Sequence, residues 1–238
     1  MSLIPASSVH RIPRHWALVG FSRAGKSTFL TAMSQRILIV DTDGRGVEIQ
    51  GVNGAEIFLL DLQDKQDPLA ISQAIRRDAA EIHESGIQLM AVDTLTPIYR
   101  RSAAEAVAKN DRNVNKNRSS AFVDKANAIR LLQDSSVSLG LDIAILWHLE
   151  EKRDANARQV VDHTISASER KKLYRSLNAV ILIENKNGRR SATVKWARAI
   201  GVPSEPMVFY DEEGFWKGVP EKIDQAITPH REHVSQAS

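Results

Sequence analysis

Gly20, Gly25, Lys26 and Ser27 stand at the spacing G-x-x-x-x-G-K-S within the stretch GFSRAGKST, residues 20–28. Glycines at those points let a chain wrap with its amide N–H groups turned inward, and a helix starting at the lysine aims the positive end of its dipole at whatever is enclosed. The group that fits such a cradle is a polyphosphate. The loop from Gly20 through Phe21, Ser22, Arg23, Ala24 and Gly25 to Lys26, Ser27 and Thr28 would hold it. Within it, Lys26 reaches the β- and γ-phosphates and the Ser27 hydroxyl joins the coordination of Mg2+. The flanks suit this chemistry, because the apolar run WALV precedes the loop and FLTAM follows it.

Magnesium held this way needs a second partner, a carboxylate at the end of an apolar strand beside the loop. LMAVDTLT supplies Asp93; the other reading of an isolated Asp-Thr pair is a helix cap. Directly after the first helix, ILIVDTDGRG ends a strand in Asp41 and Asp43. A carboxylate there can act as general base on a water attacking the γ-phosphate, and Asp43 is the candidate. The alternative is that both aspartates merely form the turn with Gly44 and Gly46.

These residues need a scaffold that brings strand ends together. Apolar segments alternate with helix-like ones, a pattern that predicts an α/β fold with a mostly parallel sheet covered by helices. Strands are expected at His15 to Val19, Ile37 to Asp41, Ile57 to Leu60, Leu89 to Asp93, Asp142 to Trp147 and Val180 to Glu184. Helices are expected at Lys26 to Ser34, Pro68 to Ser85 and Ser119 to Leu139, where apolar residues recur every three or four positions. Asn187-Gly188 between AVILIE and SATVKWA signals a hairpin, so the sheet should end in antiparallel strands. KNDRNVNKNRSS, from Lys109 to Ser120, reads as a mobile polar loop. A single domain over residues 1–226 with a flexible tail at 227–238 is the expected organisation.

Composition narrows the partners. The 238 residues carry 32 Lys and Arg against 29 Asp and Glu, a net charge of only +3, so any nucleic-acid binding must come from local clusters. There is no cysteine, which excludes disulfides and thiolate metal sites. No apolar run approaches the roughly 18 residues needed to cross a bilayer, and the expected location is cytoplasmic, away from membranes.

Taken in order, GFSRAGKST, LIVDTDGRG, LMAVDTLT, IAILWHLEEKR and NKNGRRSATVKWAR resemble the RecA-like P-loop ATPases, and among them the short phage-type proteins linked to single-strand annealing and recombination. The resemblance spans roughly Trp16 to Ala199. It implies a RecA-like P-loop NTPase core with ATP and Mg2+ as cofactors, and a γ-phosphate sensor at the tip of the strand after the magnesium carboxylate. His148 occupies that place; the plainer reading is a strand cap. It also implies two loops that bind single-stranded DNA, here marked by Lys109, Arg112, Lys116 and Arg118, and by Lys152, Arg153 and Arg158 in the stretch from Glu150 to Arg175. Such side chains neutralise phosphates without reading sequence. Finally it implies a homo-oligomer, ring or filament, in which Lys195 and Arg198 enter a neighbour's site as trans-acting fingers.

The function expected on this basis is a Mg-dependent ATPase coupled to single-stranded DNA in recombination or replication. Two alternatives stand beside it. One is a small-molecule P-loop kinase in which Arg153 and Arg158 form a lid, and the other a nucleotide-gated binding module with little turnover. NKNG at Asn185 to Gly188 lacks the acid of a guanine-recognition motif, which makes ATP the default base.

Overall fold

The computed structural model describes residues 12–112, 118–154 and 157–228. Its elements run β1 (His15–Gly20), α1 (Lys26–Met33), β2 (Arg36–Asp41), β3 (Glu56–Leu59), α2 (Pro68–Arg77), α3 (Ala79–Glu84), β4 (Leu89–Asp93), α4 (Leu95–Arg112) and α5 (Arg118–Ser138). They continue with β5 (Asp142–Arg153), β6 (Gln159–His163), α6 (Ala167–Leu173), β7 (Ala179–Lys186), β8 (Arg189–Ala197), β9 (Met207–Tyr210) and α7 (Val219–Ile227).

Among the described residues the strands form one sheet in the order β3-β2-β4-β5-β1-β7-β8-β9, with β6 paired to the outer half of β5. From β3 to β7 every pairing is parallel; β7-β8, β8-β9 and β5-β6 are antiparallel. The expected mostly parallel α/β sheet with its antiparallel C-terminal hairpin is what the chain forms. The turn of that hairpin is Asn187-Gly188, both at positive φ, the backbone that a tight two-residue hairpin requires.

Near-continuous apolar strands are explained by burial on both faces. Trp16, Leu18, Ile37, Ile39, Leu89, Ala91, Ala144 and Leu146 pack under α1 and α7, through Phe29, Leu30, Val219 and Ile223. The alternate residues Ala17, Val19, Leu38, Val40, Met90, Val92, Ile143 and Ile145 face the other helical layer, including Ile71, Ile75, Ile98 and Leu132. The period-two geometry of strands thus sorts each strand between two cores.

Three expectations are corrected. The helix expected at Pro68 to Ser85 is broken at Asp78, whose backbone leaves the helical region at φ −96°, ψ 9°, into α2 and α3. The loop expected from Lys109 to Ser120 is helical on both sides: Lys109 and Arg112 close α4, and Arg118 opens α5. The rest of it, Lys116 included, lies outside the described residues. Polar surface residues concealed α4, whose buried positions Leu95, Ile98, Tyr99, Ser102 and Ala106 keep a helical spacing. The third correction concerns Glu150 to Arg175, which is mostly regular structure: the end of β5, then β6, then α6. Ile227 is the last residue of α7 and is buried; the tail beyond residue 228 lies outside the described residues. No helix among the described residues is long and apolar enough to cross a membrane.

Candidate nucleotide site

Strand register sets the site. Gly20 at the tip of β1 pairs with His148 on β5, and Asp41 at the tip of β2 pairs with Asp93 on β4. Parallel strands end on one edge, so the sequence-distant residues Lys26, Ser27, Asp43, Asp93 and His148 line one cavity of about 230 Å3. Ser22, Arg23, Thr28 and Asp41 share its wall, as do Arg45 and Glu48. Phe21 and Ala24 take part through the main chain: the Phe21 ring is exposed, and Ala24 packs into the core.

The loop is rigidly seated. A Cβ on Gly20 would lie 2.2 Å from the Ile183 carbonyl oxygen, so only glycine lets β7 run this close. Gly25 has φ 96°, in the left-handed region, and its carbonyl accepts both the first α1 hydrogen bond, from Phe29 N–H, and the Trp216 indole N–H at 3.1 Å. No side chain caps the N-terminus of α1, which leaves first-turn amides for an anion.

Lys26 is buried, and its Nζ donates to the Gly20 and Phe21 carbonyls at 3.0 and 2.8 Å and to His148 Nδ1 at 3.1 Å. Burial lowers its pKa to about 8, against the opposing pull of Asp93 and Asp43. An ammonium has no lone pair, so the protonated lysine makes His148 Nδ1 the acceptor and leaves the ring proton on Nε2. That nitrogen faces Asp43 Oδ2 at 3.9 Å. Burial and the Lys26 charge both push the His148 pKa down, which favours the same neutral ring.

Ser27 Oγ donates to Asp93 Oδ2 at 2.6 Å. Burial pushes the Asp93 carboxyl up to about 6, although the Ser27 hydroxyl and Lys26 pull the other way. A desolvated carboxylate beside a hydroxyl is a hard oxygen pair of the kind Mg2+ takes together with phosphate oxygens and water. Among the described residues no cluster of three or more His, Asp or Glu side chains could hold a metal unaided. Ser27 and Asp93 offer two oxygen donors to a magnesium ion carried by a nucleotide.

The two aspartates at the end of β2 and just after it differ in their surroundings. Asp41 is buried and accepts the Arg45 and Gly46 amides at 3.0 and 2.9 Å, which makes it the anchor of the turn. Asp43 lines the cavity as Asp41 does, and its side chain is the more exposed of the two. Around them a chain of hydroxyls ties the strand tips together. Thr42 Oγ1 donates to the Thr94 carbonyl and accepts the Thr94 amide, each at 2.8 Å. Thr94 Oγ1 donates to the Leu146 carbonyl, and Thr96 Oγ1 accepts the His148 amide and meets Thr164 Oγ1 at 2.9 Å.

Other candidates lie elsewhere. Lys195 and Arg198 sit where β8 pairs with the start of β7, the sheet edge opposite the phosphate loop. Arg198 Nε donates to the Leu177 carbonyl, and its Nη2 to that of Arg175. Lys109 is ion-paired with Asp124, and Lys152 with Glu150 and Asp162. Arg153 and Arg158 are exposed where the β5-β6 hairpin projects beyond the sheet. Sequence reasoning missed Arg190 and Trp216. The first is traceable, since counting back from the Asn187-Gly188 turn puts Arg190 opposite Asn185, two residues past Ile183. Trp216, 191 positions from Gly25, leaves no local signal.

A glycine-lysine loop between a central parallel strand and a helix, with an acidic strand tip two strands away, defines a phosphate-loop nucleotide-binding fold. A family model described as an AAA domain matches residues 12–195. The chain belongs to that family, within the P-loop ATPases. None of the curated proteins matches it.

Proposed function

We propose that the protein is a Mg-dependent ATPase of RecA-like type that couples ATP binding and hydrolysis to single-stranded DNA binding, in phage-type recombination or replication. One observation carries this reading. β5 places His148 against Lys26 in the cavity and continues unbroken into the projecting hairpin with Arg153 and Arg158. The Thr164 hydroxyl and amide both donate to the His148 carbonyl, at 2.9 and 3.0 Å, which ties β6 to the same residue. A change at His148 therefore has a short, hydrogen-bonded route to the exposed hairpin that carries Arg153 and Arg158.

In this reading the loop amides and Lys26 bind the phosphates, and Asp43 orients the attacking water and takes its proton. His148 responds to the terminal phosphate. Ser27 and Asp93 would hold Mg2+, which when bound draws charge from the phosphate oxygens. Lys195 and Arg198 are too remote to serve their own cavity, so they would act across an interface in a ring or filament, where a cation supplied by a neighbour stabilises the transferring phosphoryl group.

The test is ATP hydrolysis by the purified chain, with and without single-stranded DNA, at low and high salt. Turnover that rises with DNA at low salt and loses that response at high salt is the expected result. Hydrolysis indifferent to DNA at every salt concentration would remove the coupling. Phosphate transfer to a nucleoside or nucleotide would replace it with a kinase.

A further inference from the structure

Arg190, like Arg45, is a cationic side chain on the cavity wall with no part in the chemistry above. It is the second residue of β8 and lies opposite Asn185. β7 is the strand whose Ile183 carbonyl crowds Gly20, and Arg190 pairs with Asn185, two residues further along that strand. It lines the cavity together with Lys26, Ser27, Asp43, Asp93 and His148. The acids and His148 belong to β2, β4 and β5 on one flank of β1, whereas Arg190 stands on the other.

Its surroundings leave it donors to spare. Nη1 is 3.5 Å from Asp211 Oδ2, at the outer limit of a hydrogen bond. That carboxylate is almost fully buried, and its Oδ1 accepts the Trp216 amide at 2.8 Å. Trp216 in turn donates its indole N–H to the Gly25 carbonyl. Asp211 thus stands between the Arg190 side chain and, through Trp216, the end of the phosphate loop. A guanidinium has five N–H donors in a planar fork, and the contact with Asp211 engages only Nη1.

We propose that Arg190 is a phosphate-contacting residue of the same chain, oriented by Asp211, which adds a second fixed cation to the nucleotide's phosphates from the flank opposite His148. Part of the positive charge in the site is then present before any neighbour arrives. Asp211 is a positioning residue in this scheme. The inference rests on the nucleotide reading of the cavity.

The neighbouring arginine provides a control. Arg189 stacks on Tyr210, with its guanidinium carbon 3.8 Å from the ring centroid, and does not line the phosphate cavity. The experiment is equilibrium binding of Mg-ATP and Mg-ADP to the full chain, comparing wild type with R190A, R190K, R189A and D211N, and recording a thermal melt for each. R190A is expected to weaken ATP binding about tenfold or more, the scale of one lost charge-assisted contact, and to weaken ADP binding less, because ADP carries less charge. R190K, which keeps the charge opposite Asp211, should recover part of the loss. D211N should fall between R190A and wild type, and R189A should stay within about twofold of wild type. An unchanged ATP-to-ADP ratio in R190A, or losses equal to those of R189A, overturns the role of Arg190. In that case wild-type binding that K26A abolishes leaves the nucleotide reading standing. A wild-type chain that binds neither nucleotide overturns both.

Discussion

Two lysines show how differently the cavity and the projecting hairpin treat the same side chain. Lys26 is buried, holds two loop carbonyls and His148, and has its pKa lowered to about 8 by lost solvation. Lys152, on the exposed part of β5, has its pKa raised by the Glu150 and Asp162 carboxylates that hold it. The cavity holds a charge that burial has partly stripped of solvent, so an anion arriving there meets a stronger field than on the surface. The hairpin spreads charge over a wet surface, where each ion pair is worth little and salt screens it. Placement by the sheet, more than residue type, separates a site that can do chemistry from a surface that can only adhere.

The sharpest way to break this comparison is Asp43→Asn. If Asp43 is the base, turnover should fall about a hundredfold or more while ATP affinity changes little, as measured by steady-state rates and equilibrium binding. An equal loss in both would make Asp43 a binding residue.

A second effect follows from the Asp93 carboxyl, raised by burial to about 6. The folded chain then holds that proton more tightly than the unfolded chain does. Its contribution to stability is fullest below about pH 4 and declines as pH rises towards 6. Without nucleotide or magnesium, Asp93→Asn should therefore be more stable than wild type at pH 7.5, by of order 2–3 kcal/mol, the size of a shift of about two pKa units. The gap should narrow steadily towards pH 4, and thermal melts across that range would record it. A destabilised variant at pH 7.5 would mean that the Ser27 hydrogen bond and Lys26 outweigh burial.

Smaller effects belong to the hairpin. R153A combined with R158A should weaken single-stranded DNA binding several-fold and reduce the salt dependence by roughly one to two phosphate contacts. K152A should have less than about a twofold effect, since its charge is already answered by two carboxylates. Fluorescence anisotropy over a salt series distinguishes them, and equal losses would show that the surface acts only through net charge.

Much of the cavity was legible in the sequence because local rules fix it. The glycine spacing, the apolar run that ends at Asp93 and the Asn187-Gly188 turn each determine a backbone within a few residues. The parallel sheet then supplies the long-range step, bringing Gly20, Asp93 and His148 to one edge. What escaped was written in contacts rather than runs. α4 hid beneath a polar surface, and the outer half of β5 and all of β6 read as loop because pairing with each other, not apolar burial, makes them strands. Trp216 and Asp211 secure the phosphate loop from the far end of the chain, where no nearby residue announces the partner.

The central claim is that Lys26 and the loop around it bind a Mg-nucleotide and activate its terminal phosphate. Its most direct test is ATP binding and turnover by wild type and Lys26→Ala in parallel, with magnesium and with a chelator. Wild type should bind and hydrolyse ATP only with magnesium, and Lys26→Ala should lose turnover by at least about a hundredfold. Turnover that persists unchanged in Lys26→Ala would contradict the account at its root.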